Sequence, residues 1–189
     1  MKRIYLSSLA SFAACLYAST VAAQSTSFML SSPDIAAGAS IEQTYAFNGF
    51  GCTGQNTSPA LVWRNAPVGT KSFALMVHDP DAVTGGAGFW HWAVINLPAG
   101  LTGVARGAGA ASGASLPEGT KQIATDFGTP GWGGPCPPVG DQPHRYDFTV
   151  YALKAEKLEL PATATASLAG FIVNANSLGK ASFSARYGR

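Results

Sequence analysis

Arg145-Tyr146-Asp147-Phe148-Thr149-Val150-Tyr151-Ala152-Leu153 sets Tyr146, Phe148 and Val150 in alternation with Arg145, Asp147 and Thr149. A period of two marks a strand with one buried face, because successive side chains leave the pleat on opposite sides. Upstream, Ser72 to His78 and Trp92 to Leu97 are nearly continuous apolar runs, which predicts central strands buried on both faces. Ser27 to Leu30, Ile41 to Phe47 and Leu61 to Trp63 read as further strands bounded by Gly, Pro, Asn or Asp, and Ala181 to Tyr187 as a last one. The 22 Gly and 12 Pro are spread along the chain and only 12% of residues are charged. This predicts an all-β, mainly antiparallel fold of short strands, many turns and a few short helical turns.

One segment near the C-terminus departs from the pattern. Thr165 to Leu178 carries Leu168, Phe171, Ile172, Ala175 and Leu178 at spacings that share one helical face, predicting a helix that buries them. Pro161 precedes it, Thr163 or Thr165 can cap it, and Gly179 can end it. Gly103 to Gly119 is rich in Gly, Ala and Ser, lacks periodicity and reads as a long surface connection.

At the other end, Lys2 and Arg3 precede an apolar run from Ile4 to Tyr17, and Val21-Ala22-Ala23 stands before Gln24. The run is shorter than the ~20 residues of a spanning helix. Residues 1–23 therefore read as a signal peptide cut after Ala23, leaving residues 24–189 as a single domain in the periplasm or outside the cell. A competing reading is lipoprotein processing at Cys15, after Ala13-Ala14; Phe12 fits that pattern poorly, and the apolar run continues past Cys15. The formal net charge of +2 leaves with Lys2 and Arg3, so the mature chain is neutral, and the absence of any Lys/Arg cluster argues against nucleic acid as a partner. No mature segment reads as a membrane anchor. Cys52 and Cys136 remain as an even pair, which in an exported chain reads as a disulfide; two buried free thiols are the alternative.

Scarce polar residues fall in two clusters. His78-Asp79-Pro80-Asp81-Ala82 ends an apolar strand and Phe89-Trp90-His91-Trp92 opens the next; Gly133-Gly134-Pro135-Cys136-Pro137-Pro138-Val139-Gly140 runs toward His144-Arg145-Tyr146. Each has a plain structural explanation. Asp-Pro-Asp is an ordinary turn former, a lone His91 between tryptophans fits a satisfied core residue, and Pro137-Pro138 fits a rigid connector. Together they suggest more: Asp79 and Asp81 share a face in an extended chain, Asp79 can orient the His91 imidazole, and His144 and Tyr146 face one side of their strand. Such a group offers donors to a phosphate or carboxylate between apolar walls.

These segments, with Val94-Ile95-Asn96-Leu97-Pro98, resemble the signatures of the phosphatidylethanolamine-binding protein family. Phe47-Asn48-Gly49-Phe50-Gly51-Cys52 and Asn56-Thr57-Ser58-Pro59 are similar to its bacterial Raf-kinase-inhibitor-like branch. The resemblance covers nearly the whole mature chain, in order. It implies a β-sandwich with an anion-binding pocket made by Asp79, His91, His144 and Tyr146 and supported by Asp81 and Pro138. It also implies a binding protein that modulates or inhibits a partner, with a small phosphate or phospholipid head group, or a protein presenting one, as ligand, and a homodimer as an option. Val83 departs from the family, which has proline there, and puts the stiffness of that loop in question.

Other functions find weaker support. A hydrolase would use an Asp79/His91 acid–base dyad, but no Gly-x-Ser-x-Gly elbow accompanies it. A metal site is disfavoured because no His-x-His or His-Glu-x-x-His spacing occurs and neighbouring His78 and Asp79 point to opposite faces of a strand. No cofactor signature is present.

Overall fold

A computed structural model describes residues 27–189; the proposed signal peptide, its cleavage site and Cys15 lie outside them. In chain order the strands are β1 (Met29–Ser31), β2 (Asn48–Gly49), β3 (Cys52–Thr53), β4 (Leu61–Arg64), β5 (Ser72–Asp79), β6 (Phe89–Pro98), β7 (Gly103–Val104), β8 (Lys121–Gln122) and β9 (His144–Leu153). Helix α1 (Ala166–Asn176) and strand β10 (Ser177–Tyr187) complete the chain. The order in the main sheet is β10-β9-β5-β6-β8, a smaller sheet is β1-β4-β7, and β2-β3 is a hairpin. Every pairing between these strands is antiparallel.

The main sheet is covered on both sides, which explains the unbroken apolar runs. Phe73, Leu75 and Val77 of β5 face Leu61 and Trp63 of the smaller sheet in one core cluster. Ala74 and Met76 face α1 in the other. Burying a side chain of this kind is worth about 1.5–3 kcal/mol, and β5 and β6 do it on both faces. β9 shows the expected alternation, with Tyr146, Phe148 and Val150 fully buried while Arg145 is exposed.

Three expectations are corrected. Ile41 to Phe47 is not a strand but contains a 3-10 turn at Gln43–Tyr45. Its amides bond to separate elements, Ile41 to the Arg186 carbonyl and Phe47 to that of Pro135, so it bridges them rather than pairing along one. Helix α1 is where it was expected, with Thr165 accepting from the Leu168 amide at 3.3 Å. The face it buries is Ala166, Ala169, Gly170 and Val173, while Phe171 is 74% exposed. The sheet already supplies the bulk: a Cβ on Gly170 would touch Met76 and Trp90 at 3.5–3.7 Å, so the helix approaches with small residues. Gly179 does not end the helix; Ser177 does, and Gly179 sits at a register shift inside β10. The connection from residue 103 to 119 is mostly turns, though it contributes β7 and buries Ala108.

Candidate functional site

Antiparallel pairing lays the end of β5 beside the beginnings of β6 and β9, so residues distant in sequence meet at one end of the main sheet. Asp79 closes β5, His91 lies near the start of β6, and His144 and Tyr146 open β9.

A bulge aims His91. Val77 pairs with Trp92 and His78 with Trp90, leaving His91 as the extra residue on β6. Strict alternation would turn it away from Trp92, toward the α1 side; the bulge re-aims the ring. It packs edge-on against Tyr146, with centroids 5.0 Å apart, and against Phe127 at 5.4 Å. Nδ1 donates to the Gly133 carbonyl at 2.6 Å, since a carbonyl can only accept. Nε2 makes no hydrogen bond among the described residues. Burial lowers the His91 pKa to about 4, against the opposing pull of the Gly133 carbonyl and the Asp79 carboxylate.

Asp79 is both a turn former and an imidazole partner. Its Oδ1 accepts from the Asp81 and Ala82 amides at 2.9 and 3.0 Å, and its Oδ2 from His144 Nδ1 at 2.8 Å. The imidazole that Asp79 orients is thus His144 and not His91. The Asp79/His91 dyad expected for a hydrolase does not form as a hydrogen-bonded pair, because the bulge commits His91 Nδ1 to Gly133. His144 Nε2 lies 3.4 Å from Asp141.

Asp81 does not share the face of Asp79, because the chain turns after β5. Its Oδ2 accepts from the Arg145 amide at 2.8 Å, tying that turn to β9. These bonds, with Thr84 Oγ1 donating to the Gly88 carbonyl at 2.8 Å, hold the loop that carries Val83 without the family's proline. His78 stands apart, its ring tilted against Trp90 with centroids 4.2 Å apart.

Asp79, His91, His144 and Tyr146 line a cavity of about 220 Å³, with Phe89 and Phe127 as walls and Phe50, Val83, Pro137 and Pro138 toward the mouth. This is below the ~300–1,000 Å³ of sites for drug-sized ligands, so the cavity has room for a small group only. Among the described residues no lysine or arginine lines it. Tyr146 is fully buried, and its hydroxyl lies beside the Asp79 carboxylate without a well-formed hydrogen bond among the described residues. Burial and then the Asp79 carboxylate push its pKa well above the ordinary phenol value, so it remains a neutral donor.

Two fasteners hold the mouth. Cys52 and Cys136 are joined by a disulfide. Arg189 spans the same loops, donating to the carbonyls of Pro137 at 2.7 Å, Gly51 at 2.9 Å and Phe50 at 3.3 Å. Phe50 is held at φ 52° with its ring 73% exposed, a left-handed conformation costly for a bulky residue.

Sequence reading missed the aromatic walls and the props. Phe50 and Phe89 stood inside segments already singled out, whereas Phe127 carried no signal. Gly133 fixes the His91 tautomer, and a Cβ there would meet the Phe127 ring at 2.2 Å. Asn56 supports that loop, accepting from the Gly134 amide at 2.7 Å and donating to the Trp132 carbonyl at 3.1 Å. Among the described residues no group of three or more His, Cys, Asp or Glu is placed to hold a metal, and no helix is long and apolar enough to cross a membrane.

An antiparallel sandwich with a cavity at one end of its main sheet defines a β-rich binding protein. The family profile of the phosphatidylethanolamine-binding proteins matches residues 31–188, and the chain belongs to that family. It is 46% identical to Escherichia coli YbcL over 168 residues, 89% of this chain and 91% of YbcL. The crystal structure of YbcL superposes with a TM-score of 0.83, covering 86% of this chain and 98% of the other. Escherichia coli YbhB is 43% identical over 84% of this chain and 98% of its own. LppC of Mycobacterium tuberculosis, by name a candidate lipoprotein, is 38% identical over 78% of this chain and 66% of its own.

Proposed function

We propose that this is an exported, non-enzymatic binding protein that holds a phosphate-like group between Asp79, His91, His144 and Tyr146. Asp81 fixes the loop behind the site and Pro138 forms part of its rim. The observation that carries the reading is the Tyr146 hydroxyl, buried beside His91 and the Asp79 carboxylate at the cavity without a well-formed hydrogen bond. A buried hydroxyl left unpaired costs about 1–3 kcal/mol, which a ligand oxygen would recover. Family membership adds weight, since the family takes its name from a phospholipid ligand. The partner would then be a small phosphate-bearing molecule or a protein that presents one.

Export rests on the leader-like residues 1–23, with cleavage after Ala23, and on the Cys52–Cys136 disulfide, a bond that persists in oxidising compartments. The lipoprotein-like name of LppC keeps Cys15 processing as the second reading of the leader. Mass measurement of the protein recovered from cells distinguishes the two. For the pocket, titration with phosphate or phosphotyrosine is expected to shift the His91 and His144 ring resonances saturably, and Tyr146→Phe to weaken that binding roughly tenfold or more. Unchanged histidine resonances at millimolar ligand would overturn the assignment.

A further inference from the structure

We propose that the outer face of α1, with the turn before β5, docks this protein on a lipid bilayer whose surface carries anionic phospholipid. The surface is separate from the pocket and independent of the phosphate reading. The pocket opens at the His144 end of β9, whereas α1 runs into β10 beside Leu153, at the other end of that strand. Ten residues of strand span roughly 30 Å. The face itself is apolar. Leu168, Phe171 and Ala175 stand three and four residues apart on one stripe, and the helix contains no charged residue. Phe171 projects furthest, and Leu168 and Leu178 are exposed with it. Leu178 Cδ1 lies 3.9 Å from where a Cβ on Gly69 would stand, which joins the stripe to the turn of Val68, itself fully exposed. Because α1 meets the sheet through Ala166, Ala169, Gly170 and Val173, the stripe is an outward ridge and not a groove.

Charge decides what covers it. Lys154 donates its amide to the Asn176 carbonyl at 3.0 Å and Lys71 to the Leu153 carbonyl at 2.8 Å, so both leave the backbone where α1 ends. The Lys180 ammonium lies 5.9 Å from the centroid of the Tyr151 ring, which adjoins Asn174 of α1. None of these lysines has an acidic partner among the described residues; in the loop after β9, Glu159 is held by Lys157 and Lys121, which leaves Glu156 as the free carboxylate. The rim is therefore cationic. A second copy of the chain fits it poorly, since a two-fold axis through the stripe brings like-charged lysines together. Area argues the same way: Phe171 offers at most about 200 Å², and the stripe falls well short of the roughly 800 Å² per partner of a stable complex. A bilayer requires no matching surface. Apolar side chains enter the boundary beneath the head groups, and each lysine near an anionic surface strengthens attachment about fivefold.

The test is cosedimentation of the mature protein with vesicles of phosphatidylcholine and phosphatidylglycerol in equal parts, and with vesicles of phosphatidylcholine alone. The protein is expected to bind the mixed vesicles and to bind the neutral ones at least about tenfold more weakly. Phe171→Ser should weaken binding to the mixed vesicles by about tenfold or more, and the Lys154→Gln/Lys180→Gln double variant by about twenty-five-fold. Both variants should keep the parent's circular dichroism and its phosphate-induced His91 and His144 shifts, which separates loss of docking from loss of fold or pocket. Inorganic phosphate at constant ionic strength should not release the bound protein. Failure to bind the mixed vesicles, equal binding by Phe171→Ser, or release by phosphate overturns the inference, the last because the pocket would then be the point of attachment. A dimer in analytical ultracentrifugation that Phe171→Ser dissolves also overturns it, because a second copy would then cover the stripe.

Discussion

Cys52 and Cys136 close a loop with a sequence separation of 84, and removing that closure should cost stability in a predictable amount. In the chain-entropy treatment a closed loop of this length restricts the unfolded chain by about 4.5 kcal/mol at 25 °C. For a chain of this size that corresponds to roughly 10–18 °C in Tm. The Cys52→Ser/Cys136→Ser double variant should therefore unfold at much lower urea, with a larger denaturant slope because its unfolded state is more open. The buried Trp92 and Trp132 rings, 6.0 Å apart, provide the fluorescence readout. The native mouth should persist, since Arg189 still bonds Phe50, Gly51 and Pro137. Affinity for methyl phosphate is thus expected to change by less than about threefold, under ~0.7 kcal/mol. A stability loss below about 1 kcal/mol with an unchanged slope would refute the argument, because the constraint would then not act on the unfolded chain.

Tyr146→Phe is expected to leave urea stability within about 1 kcal/mol of the parent, or to raise it, since it deletes an unpaired buried hydroxyl while keeping the ring; a loss above 2 kcal/mol would mean that the hydroxyl has a structural partner. His91 has a folded pKa near 4, below the unfolded 6.5, so the unfolded chain binds the proton more tightly. Its contribution is complete above pH 6.5 and is lost as pH falls toward 4, with a slope approaching ~1.4 kcal/mol per pH unit and a total of about 3 kcal/mol. Urea midpoints at pH 7 and 4.5, together with a direct titration of the His91 ring, test this; a ring that protonates near pH 6.5 contradicts it. Gly170→Ala should stabilise by about 0.5–1 kcal/mol, because its Cβ finds ordinary contact with Met76 and helix propensity improves. Phe171→Ser should stay within about 0.5 kcal/mol; a large loss there would restore the apolar face first read from the sequence.

Much of this was legible along the chain because it is local. Alternation in β9, unbroken apolar runs in β5 and β6, and a Thr-capped helix each follow from side-chain period and capping chemistry, which act within a few residues. The scarcity of polar residues also pointed to Asp79, His91, His144 and Tyr146, since a polar group at the end of a buried strand needs a reason to be there. Tertiary structure alone decided which of them touch. One extra residue in β6 turned His91 to Gly133, and that left Asp79 to His144; a bulge is a property of two paired strands, which one strand's sequence does not specify. The same holds for α1. Its apolar residues were visible, but which face is buried depended on the bulk already present on the sheet, so Gly170 lies inside and Phe171 outside.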